Sequence, residues 1–263
     1  MLIFSASTIY SQVPGYMGRR LLITPTIGPN LNIPFSVYDD DSFGSSGGSE
    51  FSVRPKFGLA IDFAYSRQRT IGLKYSYSNT QLSMPVFYKV NNNNYGYPFL
   101  TAFYSPANVR SHSLGIRYSK YISGNIPAPL GMYWGVTAGI GIASFNDPKG
   151  VFPNYSNPKI GTYLTSVLFD VIPYWGIRRG IGKRFMWSAN IEFNFIALCY
   201  LGLNYDFNPY GNESLFGGYS TDSDIQSKPA GYFQRKVTKN TTAMAYYSSN
   251  LFGITLELSF LPF

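Results

Sequence analysis

The chain has 263 residues, 13% of them charged and 18% aromatic, with a mean hydropathy of -0.06. Soluble domains carry about 25% charge, so solubilising groups are scarce, while the low hydropathy and the lack of any apolar run near 18 residues exclude a helical membrane bundle. Lys plus Arg exceed Asp plus Glu by 21 − 13 = 8, but the excess is scattered, with Arg67, Arg69, Arg178, Arg179, Lys183 and Arg184 read at tight turns, which argues against a nucleic-acid partner.

Residues 1–12, MLIFSASTIYSQ, read as the apolar core and cleavage region of a secretory signal without a basic start, leaving 13–263 as a single domain. Val13-Pro14-Gly15-Tyr16-Met17-Gly18 is a turn-forming leader or a periplasmic docking peptide. From there period-2 alternation dominates. Phe57, Leu59, Ile61, Phe63 and Tyr65 alternate with Lys56, Gly58, Ala60, Asp62 and Ala64, which places the two sets on opposite faces of a strand. The same rhythm returns along the chain and predicts eight strands, near 20–30, 54–66, 70–82, 108–121, 131–145, 162–178, 184–205 and 247–262. The longest apolar run, Phe195 to Leu203, falls inside the seventh and carries the single cysteine, Cys199. One cysteine excludes an internal disulfide and a cysteine-based metal site.

The expected connections alternate in length. Those at 31–53, 83–107, 146–161 and 206–246 are long; those at 67–69, 122–130 and 179–183 are short. Outer-membrane barrels alternate in this way, with short periplasmic turns and longer external loops. An even strand count then puts both termini on the periplasmic side.

Alternation alone leaves open whether the apolar face lines the inside, as in a lipocalin-like barrel, or the outside. Three features turn it outward. The polar face is built of Gly, Ala, Ser and Thr with a few charges, as a narrow eight-stranded interior requires. Trp134, Trp175 and Trp187 fall close to the short turns, with Tyr65, Tyr118 and Phe260 at the same level, forming a membrane-interface girdle. Finally, the chain ends in the alternating strand Ile254 to Phe260. That strand resembles the C-terminal signal by which outer-membrane barrels are assembled, although Leu261-Pro262-Phe263 follow it and Phe263 has the opposite parity. Over residues 20–263 the pattern resembles the small OmpA-like, OmpX-like and OmpW-like barrels of Gram-negative outer membranes. The resemblance implies an all-β, eight-stranded, antiparallel up-and-down transmembrane barrel, and it speaks poorly to activity.

Lys56, Asp62, Lys74, Arg117, Asp170, Glu192 and Glu257 fall on the inward face and are expected to form a paired lumen network, since charges out of water must be paired. His112, the single histidine, lies between Ser111 and Ser113, but adjacent strand residues point to opposite faces, so it lacks an identifiable nucleophile. Asp39, Asp40 and Asp41 lack the spacing of a calcium loop, and Gly44-Ser45-Ser46-Gly47-Gly48 lacks the Lys-Ser/Thr of a phosphate loop. No cofactor or metal is expected. The functional expectation is a non-enzymatic outer-membrane barrel with a structural or interaction role, such as an accessory subunit of a larger outer-membrane assembly or secretion complex. Its expected partners are outer-membrane lipid and other outer-membrane or periplasmic proteins, met through loops or the N-terminal segment. The alternatives are an OmpW-like transport barrel for small hydrophobic molecules and, less favoured, a lipid-modifying enzyme using His112.

Overall fold

The computed structural model describes residues 20–32, 35–38, 47–49, 52–91, 98–122, 128–146, 165–203 and 241–262. The signal-like residues 1–12, the leader 13–18, Asp39 to Asp41 and Phe263 lie outside them.

Eight strands form a closed ring: β1 (Leu21–Asn32), β4 (Ser52–Ser66), β5 (Arg69–Asn91), β6 (Pro98–Tyr121), β7 (Gly131–Asn146), β8 (Thr165–Ile181), β9 (Phe185–Phe193) and β10 (Phe252–Phe260). Each pairs antiparallel with its neighbour in sequence, and β10 pairs back onto β1, with Ile23 opposite Phe260 and Thr26 opposite Glu257. Closure pairs every strand on both sides near the short turns, which leaves no open sheet edge there, while Thr165–Pro173 of β8 runs on beyond the β9 ladder. A small hairpin, β2 (Phe35–Tyr38) and β3 (Gly47–Ser49), extends one side through the pairing of Gly48 with Ser83. Gly47 and Gly48 of the glycine-rich stretch are thus strand residues.

The period-2 pattern decides which side chains fill the ring. Along β4, Phe57, Leu59, Ile61 and Phe63 are exposed, whereas Ala60, Asp62 and Ala64 are buried. The same division holds on β6, where Leu114 and Ile116 are each 58% exposed while Arg117 and Ser119 are buried. An apolar exterior so continuous is far beyond the scattered apolar residues of a soluble surface. The ring is an outer-membrane-type barrel with its polar face inside. No helix among the described residues is long and apolar enough to cross a membrane.

Three elements differ from the sequence expectation. The β5–β6 hairpin continues in unbroken register to Asn91 opposite Pro98, through residues expected to be loop. The seventh strand stops at Phe193 rather than continuing to 205, and helix α1 (Phe195–Leu203) follows it. Its partner β10 begins only at Phe252, opposite Phe193, so β9 has no ladder to extend on that side. Asn194 makes the switch. Its amide donates to the Leu251 carbonyl as the last bond of the ladder, and its Oδ1 accepts the Ala197 amide at 3.2 Å. Asn is a favoured helix N-cap for this reason. Helix α1 then satisfies its backbone internally and packs against β8. Cys199 is therefore an exposed helix residue rather than a strand residue.

The third difference is a second helix, α2, comprising the described residues 241–250. The last strand was expected to begin at 247. All of α2 except Asn250 is buried, because the helix lies in the lumen between opposite walls. Ser248 donates to Asn32 of β1, Lys56 of β4 donates to Asn250, and Tyr247 donates to the Phe169 carbonyl of β8.

Candidate functional site

The site is the lumen itself, built from inward positions of all eight strands and capped by α2. Near the short turns, Glu257 of β10 is its hub. Arg117 Nη1 of β6 lies 2.8 Å from Glu257 Oε1, and Arg178 Nη2 of β8 lies 2.7 Å from Oε2, with Ser188 Oγ donating to the same oxygen at 2.8 Å. Both carboxylate oxygens thus accept charge-assisted hydrogen bonds from guanidinium groups, which are stronger than neutral ones. Asp62 approaches Arg117 at 3.8 Å. A ring of tyrosines surrounds the arginines. Arg117 Nε donates to the Tyr174 hydroxyl at 3.1 Å and its guanidinium lies 4.7 Å from that ring. Arg178 Nη1 donates to the Tyr121 hydroxyl at 3.1 Å and stacks over Tyr133.

Midway along the lumen, Lys74 is ion-paired with Glu192, and Lys56 reaches the other oxygen of the same carboxylate at 3.9 Å. Above it Asp170 is held without a cation: it accepts from Asn194 Nδ2 at 2.6 Å and from the Tyr246 hydroxyl of α2. Tyr246 finds room only because position 141 is glycine; a Cβ there would collide with its hydroxyl. Val109, Phe145 and Leu168 close an apolar cluster around α2, with Ala197 of α1 joining from the side.

All seven expected lumen residues therefore point inward, and six join ion pairs while Asp170 is held by neutral donors. Sequence reasoning missed Arg178, which was assigned to a short turn. Strand β8 runs on to Ile181, so Arg178 is an inward strand residue and 2% exposed. The sequence held one signal for it: three expected cations faced four carboxylates, and Arg178 makes the balance even. Tyr121, Tyr133 and Tyr174 were missed too, because bulky rings were assigned wholly to the outer face.

A cavity with room for about one water remains between Lys56, Lys74, Asp170 and Glu192. Among the described residues the lumen is densely packed with paired charge. Among the described residues no three His, Cys, Asp or Glu side chains group as metal ligands.

The residues expected to form the girdle lie on the outer wall. Trp134 and Trp175 stand directly opposite each other on β7 and β8, Tyr118 turns its edge to Trp134 at 6.3 Å, and Phe260 packs on Phe185 at 5.4 Å. Trp187 and Tyr65 are exposed on the same side of their strands. His112 also lies on this wall, its Nδ1 2.7 Å from the Tyr75 hydroxyl. Ser111 and Ser113 face inward, bonded to Ser78 and Ser76 at 2.6 Å. Histidine and serines are therefore separated by the sheet.

Two solved structures are similar over nearly the whole chain. One is the N-terminal β-barrel domain of Pseudomonas aeruginosa OprF, with 7% identity, 92% of this chain and 97% of that chain covered, and a TM-score of 0.36. The other is Ail, the attachment invasion locus protein of Yersinia pestis, in complex with the heparin analogue sucrose octasulfate, with 10% identity, coverages of 91% and 96%, and a TM-score of 0.33. No protein-family model and no curated protein matches the chain. The eight-stranded antiparallel barrel is shown by the pairing of the chain's own strands, and its outer-membrane type by the apolar face that the ring turns outward.

Proposed function

We propose that this chain is an integral outer-membrane barrel, sealed to solutes, that works as a structural and interaction platform and serves as an accessory subunit of a larger outer-membrane assembly or secretion complex. The observation that carries this reading is the filled lumen: four cations and four carboxylates occupy its lower and middle parts, and α2 occupies its upper part. A sealed barrel leaves its outer wall and its long-loop end to do the work. The β5–β6 hairpin adds to that end. At about 3.3 Å per residue its 23 and 24 residues run roughly twice the length that a tilted membrane strand needs. Transport of small hydrophobic molecules fits the packed interior less well, and the separation of His112 from Ser111 and Ser113 leaves lipid-modifying chemistry without a nucleophile.

Purification from native membranes in mild detergent tests the proposal. A stoichiometric partner is expected to accompany the chain; recovery as a lone monomer, or open-channel conductance in planar bilayers, would contradict it.

A further inference from the structure

The outer wall at the short-turn end carries a second pattern. Arg69 of β5 stands opposite Lys120 of β6, Lys120 opposite Trp134 of β7, and Trp134 opposite Trp175 of β8. All four point outward, since Arg69 shares its face with exposed Ile71 and Leu73, and Lys120 shares its face with exposed Ile116. Two cations and two indoles thus form one row across four adjacent strands.

Directly opposed residues have Cβ atoms about 5 Å apart, and like charges placed so repel and weaken the sheet. Neither Arg69 nor Lys120 has an ion-pair partner among the described residues. Among the described residues no carboxylate side chain lies on the outer face at this end. Of 13 acidic residues, Asp62, Asp170, Glu192 and Glu257 point into the lumen, and the other 13 − 4 = 9 lie at 39–50, 147 and 206–224, in the long connections. The short turns add only cations, with Arg67, Arg179, Lys183 and Arg184 all exposed. An external anion would relieve the repulsion.

We propose that the Arg69–Lys120–Trp134–Trp175 row is a binding site for an anionic glycerophospholipid, whose phosphate bridges Arg69 and Lys120 while its glycerol and upper acyl chains lie on the two indoles. The site rests on the membrane reading given above. A guanidinium matches phosphate oxygens in a fork, and an ammonium adds a second point charge. Indoles favour the headgroup level, with an apolar ring toward the chains and a polar N–H toward water. The indoles share the outward face with exposed Ile71, Leu73 and Ile116, a surface that lies in lipid on the membrane reading, which favours a lipid over an acidic protein.

Native mass spectrometry of the refolded barrel, released from detergent holding equal phosphatidylglycerol and phosphatidylcholine, tests the site. The wild type is expected to retain phosphatidylglycerol by roughly 10-fold or more over phosphatidylcholine, given the attraction of a surface Lys or Arg for anionic lipid. Arg69→Gln with Lys120→Gln should abolish the preference, and Arg179→Gln with Lys183→Gln should keep it. No preference in the wild type, equal loss in both double variants, or replacement of the lipid by added polyglutamate would overturn the site. Gel migration with and without boiling, run on each sample, separates the two failures. A compact barrel without lipid preference refutes the site alone; a chain that never shows the compact form refutes the membrane reading as well.

Discussion

The lower and upper halves of the lumen are filled by different chemistry. Near the short turns, strand side chains alone close the barrel, through Glu257, Arg117, Arg178 and the tyrosines around them. Near the long loops, the strand side chains are smaller, and a separate helix enters to fill the space, tied by Tyr246 to Asp170 and by Ser248 to Asn32. The lower half is therefore part of the barrel's own folding unit, since its ion pairs join β6, β8 and β10 across the ring. The upper half is filled by an inserted helix that takes no part in the strand pairing of the ring. A cooperative unit that can open while the rest stays folded is a common feature of native proteins.

Substitutions at the two ends should break or sharpen that contrast. Glu257→Gln is the most damaging change expected, because it leaves Arg117 and Arg178 buried beside a neutral group. Breaking a buried pair costs about 3–5 kcal/mol, and here the whole barrel bears it, so the urea midpoint should fall in vesicles and in detergent alike. Gly141→Val should act on the other end. Its side chain takes the place of the Tyr246 hydroxyl, and overpacking of this kind costs about 1–3 kcal/mol. The expected readout is faster amide exchange across 241–250 with the strand amides still protected. Asn194→Ala should be comparable, since it removes both the N-cap, worth about 1 kcal/mol, and one of the two donors to the buried Asp170 carboxylate. Its signature is faster exchange at the start of α1. Equal loss of strand protection in the Glu257 and Gly141 variants would collapse the distinction between the two halves.

The strands were legible because their two faces differ in kind at every step, as Ile61 and Asp62 or Ile116 and Arg117 show. Inward charges followed from the same parity. Arg178 escaped because strand β8 runs three residues past its expected end, into the expected turn, and an arginine beside Arg179 reads as a turn residue until its register is known. Helix α2 was illegible for a deeper reason. A surface helix betrays itself by one apolar stripe, but Thr241 to Ser249 are buried on all sides in a lumen that is partly polar. Their mixture of Thr, Ala, Tyr and Ser matches the surroundings and shows no period. The α1 switch at Asn194 is visible only once β10 is known to start at Phe252, which is a fact of pairing and not of local sequence.

The central claim is that the apolar face, with its aromatic girdle, points outward into lipid. All three tryptophans, Trp134, Trp175 and Trp187, are exposed on that face. Tryptophan fluorescence of the chain refolded into vesicles containing brominated phospholipid measures this directly. Strong quenching relative to unbrominated vesicles is predicted, whereas emission unaffected by bromine would place the indoles away from the acyl chains and contradict the account.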